Sequence, residues 1–155
     1  MSNTCALRTR RLCDRAAFTI ATSIVVGVIC SVYRSVGYED LILQALILTS
    51  VIFVSLTLWT MQSRVKFDFF HVPLILALLL VIVAGIVARI FHSPWLYTLY
   101  AYGGAVVFMI YIVFDTYMIT QRLGYDDYIV AAIELYLDLI NLFLYILKFL
   151  ASTRN

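Results

Sequence analysis

The fold of this chain is decided by residues 113–150, which read VFDTYMITQRLGYDDYIVAAIELYLDLINLFLYILKFL. Two apolar runs flank a short polar connector, and the second run reaches the ~20 residues that a helix needs to cross a bilayer. Asp115 lies in the first run and Asp138 in the second, with Glu134 one helical turn before it. An ionised carboxylate in hydrocarbon costs several kcal/mol. Acids at these positions therefore indicate an ion or proton site inside a bundle of membrane helices.

The composition of the whole chain indicates an integral membrane protein. Of its 155 residues, 64% are hydrophobic and 13% are charged, and the mean hydropathy is +0.99. Soluble domains carry about 25% charged residues and fewer apolar ones. Because lipid offers the backbone no hydrogen-bonding partners, each apolar run should be helical. We therefore predict an all-α fold, a multipass bundle of about five transmembrane helices surrounded by the lipid bilayer.

Five apolar stretches define the predicted helices. They cover approximately residues 16–36, 41–61, 72–91, 95–120 and 128–150. The short connectors between them permit only antiparallel neighbours. Residues 16–150 should thus form a single transmembrane bundle, preceded by a basic tail (residues 1–15) and followed by a C-terminal tail (residues 151–155).

The distribution of basic residues predicts the orientation of the bundle. Four arginines precede the first stretch: Arg8, Arg10, Arg11 and Arg15. By the positive-inside rule they place the N-terminus and the basic tail in the cytosol. A cleaved signal peptide is the alternative interpretation of the first stretch, but ICSVYRSVG lacks a convincing small-x-small cleavage site.

The last stretch carries one polar stripe on an otherwise apolar helix. At 100° per residue, its polar side chains fall within roughly 80° of arc. They are Asp127, Glu134, Asp138, Asn141, Tyr145 and Lys148. One face of the fourth stretch is similar, with Tyr97, Tyr100, Gly104, Tyr111, Asp115 and Arg122. We expect both stripes to face protein or water rather than lipid, with the last helix central in the bundle.

Asp115 and Asp138 are the leading candidates for a functional site. Their depths along the two helices differ by about one to one and a half turns, so a modest tilt would bring them together. Two carboxylates that close would share a proton in a dry site. Such a pair would sense pH, bind a hard cation such as Ca²⁺, or hold a gate closed. The structural alternative is that each acid only hydrogen-bonds a tyrosine or the backbone and joins helices.

The remaining charged and polar candidates have supporting roles. Glu134 and Asn141 are candidates for an ion pathway, whereas Asp126 is better explained as a helix N-cap. Arg89 and Arg122 are candidate counter-charges for the acids. His71 and His92 flank separate stretches and indicate interfacial loops rather than metal ligands.

Enzymatic and nucleic-acid functions are disfavoured by the motifs. The chain has no H-E-x-x-H, no G-x-S-x-G and no Gly-rich phosphate loop. An intramembrane aspartyl protease also uses two acids on adjacent helices, but its YD and GLGD motifs are only half met. The net charge of +2, without a basic-aromatic patch, does not favour nucleic acid. We predict no enzyme and no cofactor, with Ca²⁺ only as a bound or permeant ion.

Residues 113–150 closely resemble the transmembrane Bax-inhibitor-motif family, also called lifeguard proteins. The FDT element, the DDYIVAA run and LYLDLINLFL follow that family's signature in order and spacing. LILQALILTSVIFVSLTLWTMQS (residues 41–63) resembles a further helix of the family. The resemblance covers roughly residues 38–150 and is strongest toward the lifeguard-four or Golgi anti-apoptotic branch.

The resemblance implies a fold and a function. Family members have six or seven membrane helices, reside mainly in endoplasmic reticulum or Golgi membranes, leak Ca²⁺ in a pH-dependent way and suppress apoptosis. Asp115 and Asp138 match the family's paired aspartates, its pH sensor and gate, and Asp126 matches an acidic position linked to ion conduction. The chain resembles the C-terminal part of a seven-helix fold, starting near the third helix. We expect it to lack the first two helices, including the groups on helix two that hold the aspartates.

Two functions are therefore expected from the sequence. The first is a pH-sensitive Ca²⁺ leak or channel that contributes to calcium homeostasis and the suppression of apoptosis, with Ca²⁺ and protons as its ligands. The alternative is a non-conducting membrane protein that modulates cell death by binding other membrane proteins. Self-association is a further expectation, because a five-helix form would complete its bundle by oligomerising.

Overall fold

A computed structural model describes residues 2–64, 66, 69, 71–121 and 128–154, with side chains described from residue 6 onward. These residues form five α-helices and no strand, which confirms the all-α prediction. The helices are α1 (Ser2–Ser35), α2 (Glu39–Gln62), α3 (His71–Phe91), α4 (Pro94–Gln121) and α5 (Tyr128–Arg154). All five contain a segment long and apolar enough to cross a membrane.

The helix bounds differ from the prediction at the two ends of the chain. α1 begins at Ser2 rather than near residue 16, and α5 continues to Arg154 rather than ending near residue 150. Hydropathy detects only the part of a helix that suits lipid, whereas arginine-rich polar turns also propagate a helix well. The other bounds agree with the prediction to within about two residues.

The chain divides into two compact units, Met1–Glu39 and Asp40–Asn155. The first unit contains α1, and the turn that follows this helix includes Gly37, which has a left-handed φ of 85°. Gly37 N–H donates to the Arg34 carbonyl and Tyr38 N–H to the Tyr33 carbonyl, both at 3.0 Å. This pattern is a Schellman motif, in which glycine adopts the left-handed conformation without steric cost.

In the second unit, α4 packs against both α3 and α5. Its contact with α5 is the more extensive, and α4 contributes more buried residues than α5. The sequence predicted α5 as the central helix, whereas within this unit α4 lies against two neighbours. Small side chains on α4, including Ala101, Gly104 and Ala105, explain this arrangement because they let neighbouring helices approach closely.

Gly104 is a position of close packing between α4 and α5. A Cβ atom built there would overlap the ring of Tyr145, whereas one at the adjacent Gly103 would meet no atom within 4 Å. Two consecutive glycines thus have different roles, since only Gly104 leaves space that a neighbouring ring fills. At this position, the absence of a side chain on Gly104 allows α4 to approach α5 closely.

Candidate functional site

Asp115 on α4 and Asp138 on α5 are adjacent and buried. Their exposed fractions are 8% and 7%. The two carboxyl groups lie within hydrogen-bonding reach of each other. Since two carboxylates offer only acceptor atoms, a hydrogen bond between them needs a proton on one of the groups. The geometry therefore places two carboxyl groups where they would share a proton.

The pair retains unused hydrogen-bonding capacity. Within the described residues, Asp138 Oδ2 is buried and has no hydrogen-bond partner. Thr116 Oγ1, in the residue after Asp115, is also buried and lacks a partner in the same part of the chain. Buried polar atoms in proteins are nearly always paired. Asp138 Oδ2 is therefore available as an acceptor for a further hydrogen bond.

An open cavity of about 360 Å³ lies between α3, α4 and α5, and the aspartate pair forms part of its lining. Besides the pair, its polar lining residues are His71, Tyr111, Glu134 and Asn141. Glu134 is exposed and lies close enough to interact electrostatically with both aspartates. Asn141 is half-buried, one turn beyond Asp138 on the same helix. The structure thus brings together four of the predicted site residues.

The other predicted site residues are not part of this cluster as described. Arg89 is exposed and lies eighteen residues after His71 on α3, which corresponds to about 27 Å of helix axis. It is therefore at the opposite end of α3 from the cavity. Arg122 and Asp126 lie outside the described residues.

His71 is a residue of the cavity that the sequence did not identify. It was predicted as an interfacial loop residue, but it is the first residue of α3 and lines the cavity. Its ring and that of Phe114 pack edge to face at a centroid distance of 5.8 Å, and it interacts electrostatically with Asp115. No polar stripe on α3 signalled this position, because that helix is apolar around most of its circumference.

Tyr111 connects the cavity to α3. Its hydroxyl group donates a hydrogen bond of 2.8 Å to the backbone carbonyl of Leu74. Leu74 is buried, so the bond lies between the two helices rather than in solvent. The cavity therefore has one wall in which α3 and α4 are joined by a tyrosine hydroxyl.

The described residues contain no group of three or more histidine, cysteine, aspartate or glutamate side chains able to hold a metal ion. Ca²⁺ takes six to eight oxygen ligands in a stable protein site. The oxygen atoms of Asp115, Asp138 and Asn141 suit Ca²⁺ chemically but are too few to replace its hydration shell.

Comparisons with known proteins relate this chain to a single family. Residues 7–155 match the family described as Bax1-I, inhibitor of apoptosis-promoting Bax1. The chain is 38% identical to Protein lifeguard 4 of Mus musculus over 139 residues, which are 90% of this chain and 57% of that protein. It is 39% identical to Protein LIFEGUARD 3 of Arabidopsis thaliana over 142 residues, 89% of this chain and 56% of that one.

A viral relative belongs to the same group. The Golgi anti-apoptotic protein of Vaccinia virus (strain Lister) is 32% identical over 133 residues, 86% of this chain and 54% of the viral protein. The chain thus spans slightly more than half the length of the curated relatives it matches. With a family match over nearly its whole length and five helices suited to a bilayer, the chain belongs to the Bax inhibitor (lifeguard) family of multipass membrane proteins.

Proposed function

We propose that this protein provides a pH-sensitive leak for Ca²⁺ across a Golgi or endoplasmic reticulum membrane, and that this leak suppresses apoptosis. The observation that carries the proposal is the buried Asp115–Asp138 pair at the end of an open cavity. The names of the lifeguard and Golgi anti-apoptotic relatives support the cell-death role and the Golgi location. No enzymatic step is part of the proposal.

Protonation of the aspartate pair would control the leak. With one shared proton, the two carboxyl groups bond to each other and hold α4 against α5. Loss of that proton leaves two adjacent negative charges, and two unit charges at a separation of about 4 Å repel each other by about 4 kcal/mol at an effective dielectric constant of about 20. The carboxylates then separate and their oxygen atoms become available to a cation. Alkaline conditions at the site therefore favour the conducting state, and acidic conditions favour the closed state.

The other polar residues of the cavity would serve the entering ion. Glu134 is exposed and adds negative charge near the pair, which raises the local concentration of cations. Asn141 offers a carbonyl oxygen one turn deeper. Conduction requires sites that bind an ion weakly enough to release it. The small number of ligands at Asp115 and Asp138 supports passage of Ca²⁺ rather than its retention.

The proposed orientation places the N-terminus in the cytosol, following the arginines that precede the apolar part of α1. Five crossings then put the start of α3 and the end of α4 on the cytosolic side. His71 and Asp115 lie near those helix ends, so the aspartate cavity would open toward the cytosol. Cytosolic pH is accordingly the signal that the pair would sense.

The test is Ca²⁺ flux into liposomes that contain the purified chain, measured with an internal Ca²⁺ dye as pH is varied. Asn in place of Asp138 donates an amide hydrogen bond to Asp115 without needing a proton. Asp138→Asn should therefore keep flux low at every pH, whereas wild-type flux should rise with pH. Asp14→Asn, an exposed carboxylate on α1, is the matched control and should retain the wild-type profile. A folded Asp138→Asn protein with the wild-type profile would exclude the proposed gate.

A second candidate function is a non-conducting protein that modulates cell death by binding other membrane proteins or further copies of itself. It is favoured by the name of the viral relative and by the description of the family, which refer to cell death rather than to transport. The double variant Asp115→Asn/Asp138→Asn separates the two functions in cells exposed to an apoptotic stimulus. Intact protection together with absent flux supports the interaction protein, and loss of both supports the leak.

A further inference from the structure

A second polar cluster lies on the α4–α5 interface, separate from the aspartate cavity. It consists of Tyr100 on α4 and of Tyr145 and Lys148 on α5. The two tyrosine hydroxyl groups are 2.9 Å apart, and Lys148 Nζ lies 4.8 Å from the ring centre of Tyr145 and 5.6 Å from that of Tyr100. None of the three residues lines the aspartate cavity. Lys148 follows Asp138 by ten residues, about 15 Å along α5.

Packing from three helices fixes the rings of this cluster. The ring of Tyr145 fills the space left by Gly104 and stacks on Phe108 at a centroid distance of 5.4 Å. The ring of Tyr100 lies against Gly85 of α3, where an added Cβ would come within 2.9 Å of it. Both rings are therefore confined, and the ammonium group of Lys148 lies over their faces.

The charge of Lys148 has no counter-ion in the structure as described. Its contacts among the described residues are the faces of two tyrosine rings rather than a carboxylate. A ring face attracts a cation through its quadrupole but does not neutralise the charge. Lys148 is half-buried within a membrane-spanning helix, six residues before the end of α5. A positive charge is therefore held at the α4–α5 interface within a membrane-spanning helix, where charged side chains are rare and mark ion paths.

We propose that Lys148 forms an electrostatic barrier to cations at the end of the α4–α5 interface away from the aspartate pair. The polar stripe of α5 continues from Asp138 through Asn141 and Tyr145 to Lys148. A cation that leaves the aspartates along this stripe passes the ammonium group, which repels it. This inference rests on the proposed function, and it assigns Lys148 the role of limiting the rate of that leak.

The barrier should act more strongly on divalent than on monovalent cations. Coulomb energy is proportional to the charge of the ion, so the repulsion for Ca²⁺ is twice that for Rb⁺ at the same place. Since rate depends exponentially on energy, the effect on Ca²⁺ flux should be about the square of the effect on Rb⁺ flux. This relation distinguishes an electrostatic barrier from a general loosening of the helix packing.

The experiment compares Lys148→Met, which keeps a long apolar side chain, with Lys148→Arg, which keeps the charge. Ca²⁺ and Rb⁺ fluxes are measured for the full chain in liposomes, and Lys148→Gln replaces Lys148→Met if the latter does not fold. We expect removal of the charge to raise Rb⁺ flux about threefold and Ca²⁺ flux about tenfold. Lys148→Arg should conduct like the wild type.

The outcomes separate this inference from the proposed function. A conducting wild type with unchanged flux in Lys148→Met overturns the barrier and leaves the leak in place. Equal increases for both ions, or an equal increase in Lys148→Arg, also overturn the barrier, because they indicate altered packing. A silent wild type together with a conducting Lys148→Met supports the barrier. Absence of flux in both proteins overturns the leak and the barrier together.

Discussion

Substitution of Gly104 by alanine tests the close contact that determines how α4 meets α5. The added methyl group would overlap the ring of Tyr145, which cannot move freely because it stacks on Phe108 and bonds Tyr100 through its hydroxyl group. Overpacking of this kind costs about 1–3 kcal/mol. Loss of the hydroxyl bond adds about 0.6 kcal/mol, typical of hydrogen bonds between membrane helices.

The helix preference of alanine partly offsets this cost. Replacing glycine by alanine in a helix stabilises it by about 1 kcal/mol. The net destabilisation expected for Gly104→Ala is therefore about 0.6–2.6 kcal/mol. Gly103→Ala gains the same helix preference and meets no atom within 4 Å, so its free energy of unfolding should be unchanged or up to about 1 kcal/mol higher. Two adjacent glycines should thus respond in opposite directions to the same substitution.

The assay is reversible unfolding in mixed detergent micelles, followed by helical circular dichroism. A third variant, Tyr145→Leu, removes the ring that the new methyl group would strike. In the Tyr145→Leu protein, Gly104→Ala should lower the free energy of unfolding by much less, because the effects of substitutions at residues in contact are not additive. Equal stability of Gly104→Ala and Gly103→Ala would refute the packing described for α4 and α5. An unchanged cost in the Tyr145→Leu background would assign the effect to another contact.

Two further predictions concern the wall of the aspartate cavity. His71→Gln should change Ca²⁺ flux, because it replaces a side chain that lines the cavity and interacts electrostatically with Asp115. His92→Gln, on an exposed residue outside the cavity, should leave the flux unchanged. Equal fluxes for the two variants would exclude the role of His71. Tyr111→Phe should lower the free energy of unfolding by about 0.6 kcal/mol because it deletes the bond to α3, whereas Tyr102→Phe, on an exposed residue, should have no measurable effect in the same unfolding assay.

The pairing of Asp115 with Asp138 was predictable from the sequence for two reasons. Each acid lies on the polar stripe of a long apolar helix, and a short connector makes those helices antiparallel neighbours. Helical spacing also places Glu134 and Asn141 on the same face of α5 as Asp138. The number and order of the helices followed from hydropathy alone, since a backbone in lipid has to satisfy its own hydrogen bonds.

Other features depend on helix rotation, which hydropathy does not report. His71 lies on a helix that is apolar on nearly all sides, so the sequence does not show which side faces α4. The packing of α4 against two helices depends on small residues such as Ala101 and Gly104, which resemble lipid-facing residues in composition. Within a bilayer, burial against protein and exposure to lipid both favour apolar side chains. Sequence patterns therefore locate a polar site in a membrane bundle more readily than they locate its apolar neighbours.

The most direct test of the proposed leak is the pH dependence of Ca²⁺ flux in liposomes for the wild type and for Asp115→Asn/Asp138→Asn. Two asparagine side chains can bond to each other at every pH, because neither gains or loses a proton in this range. The proposed mechanism predicts that wild-type flux rises as pH increases and that flux through the double variant stays low and independent of pH. A double variant that folds and still shows the wild-type rise would contradict the central role of the aspartate pair.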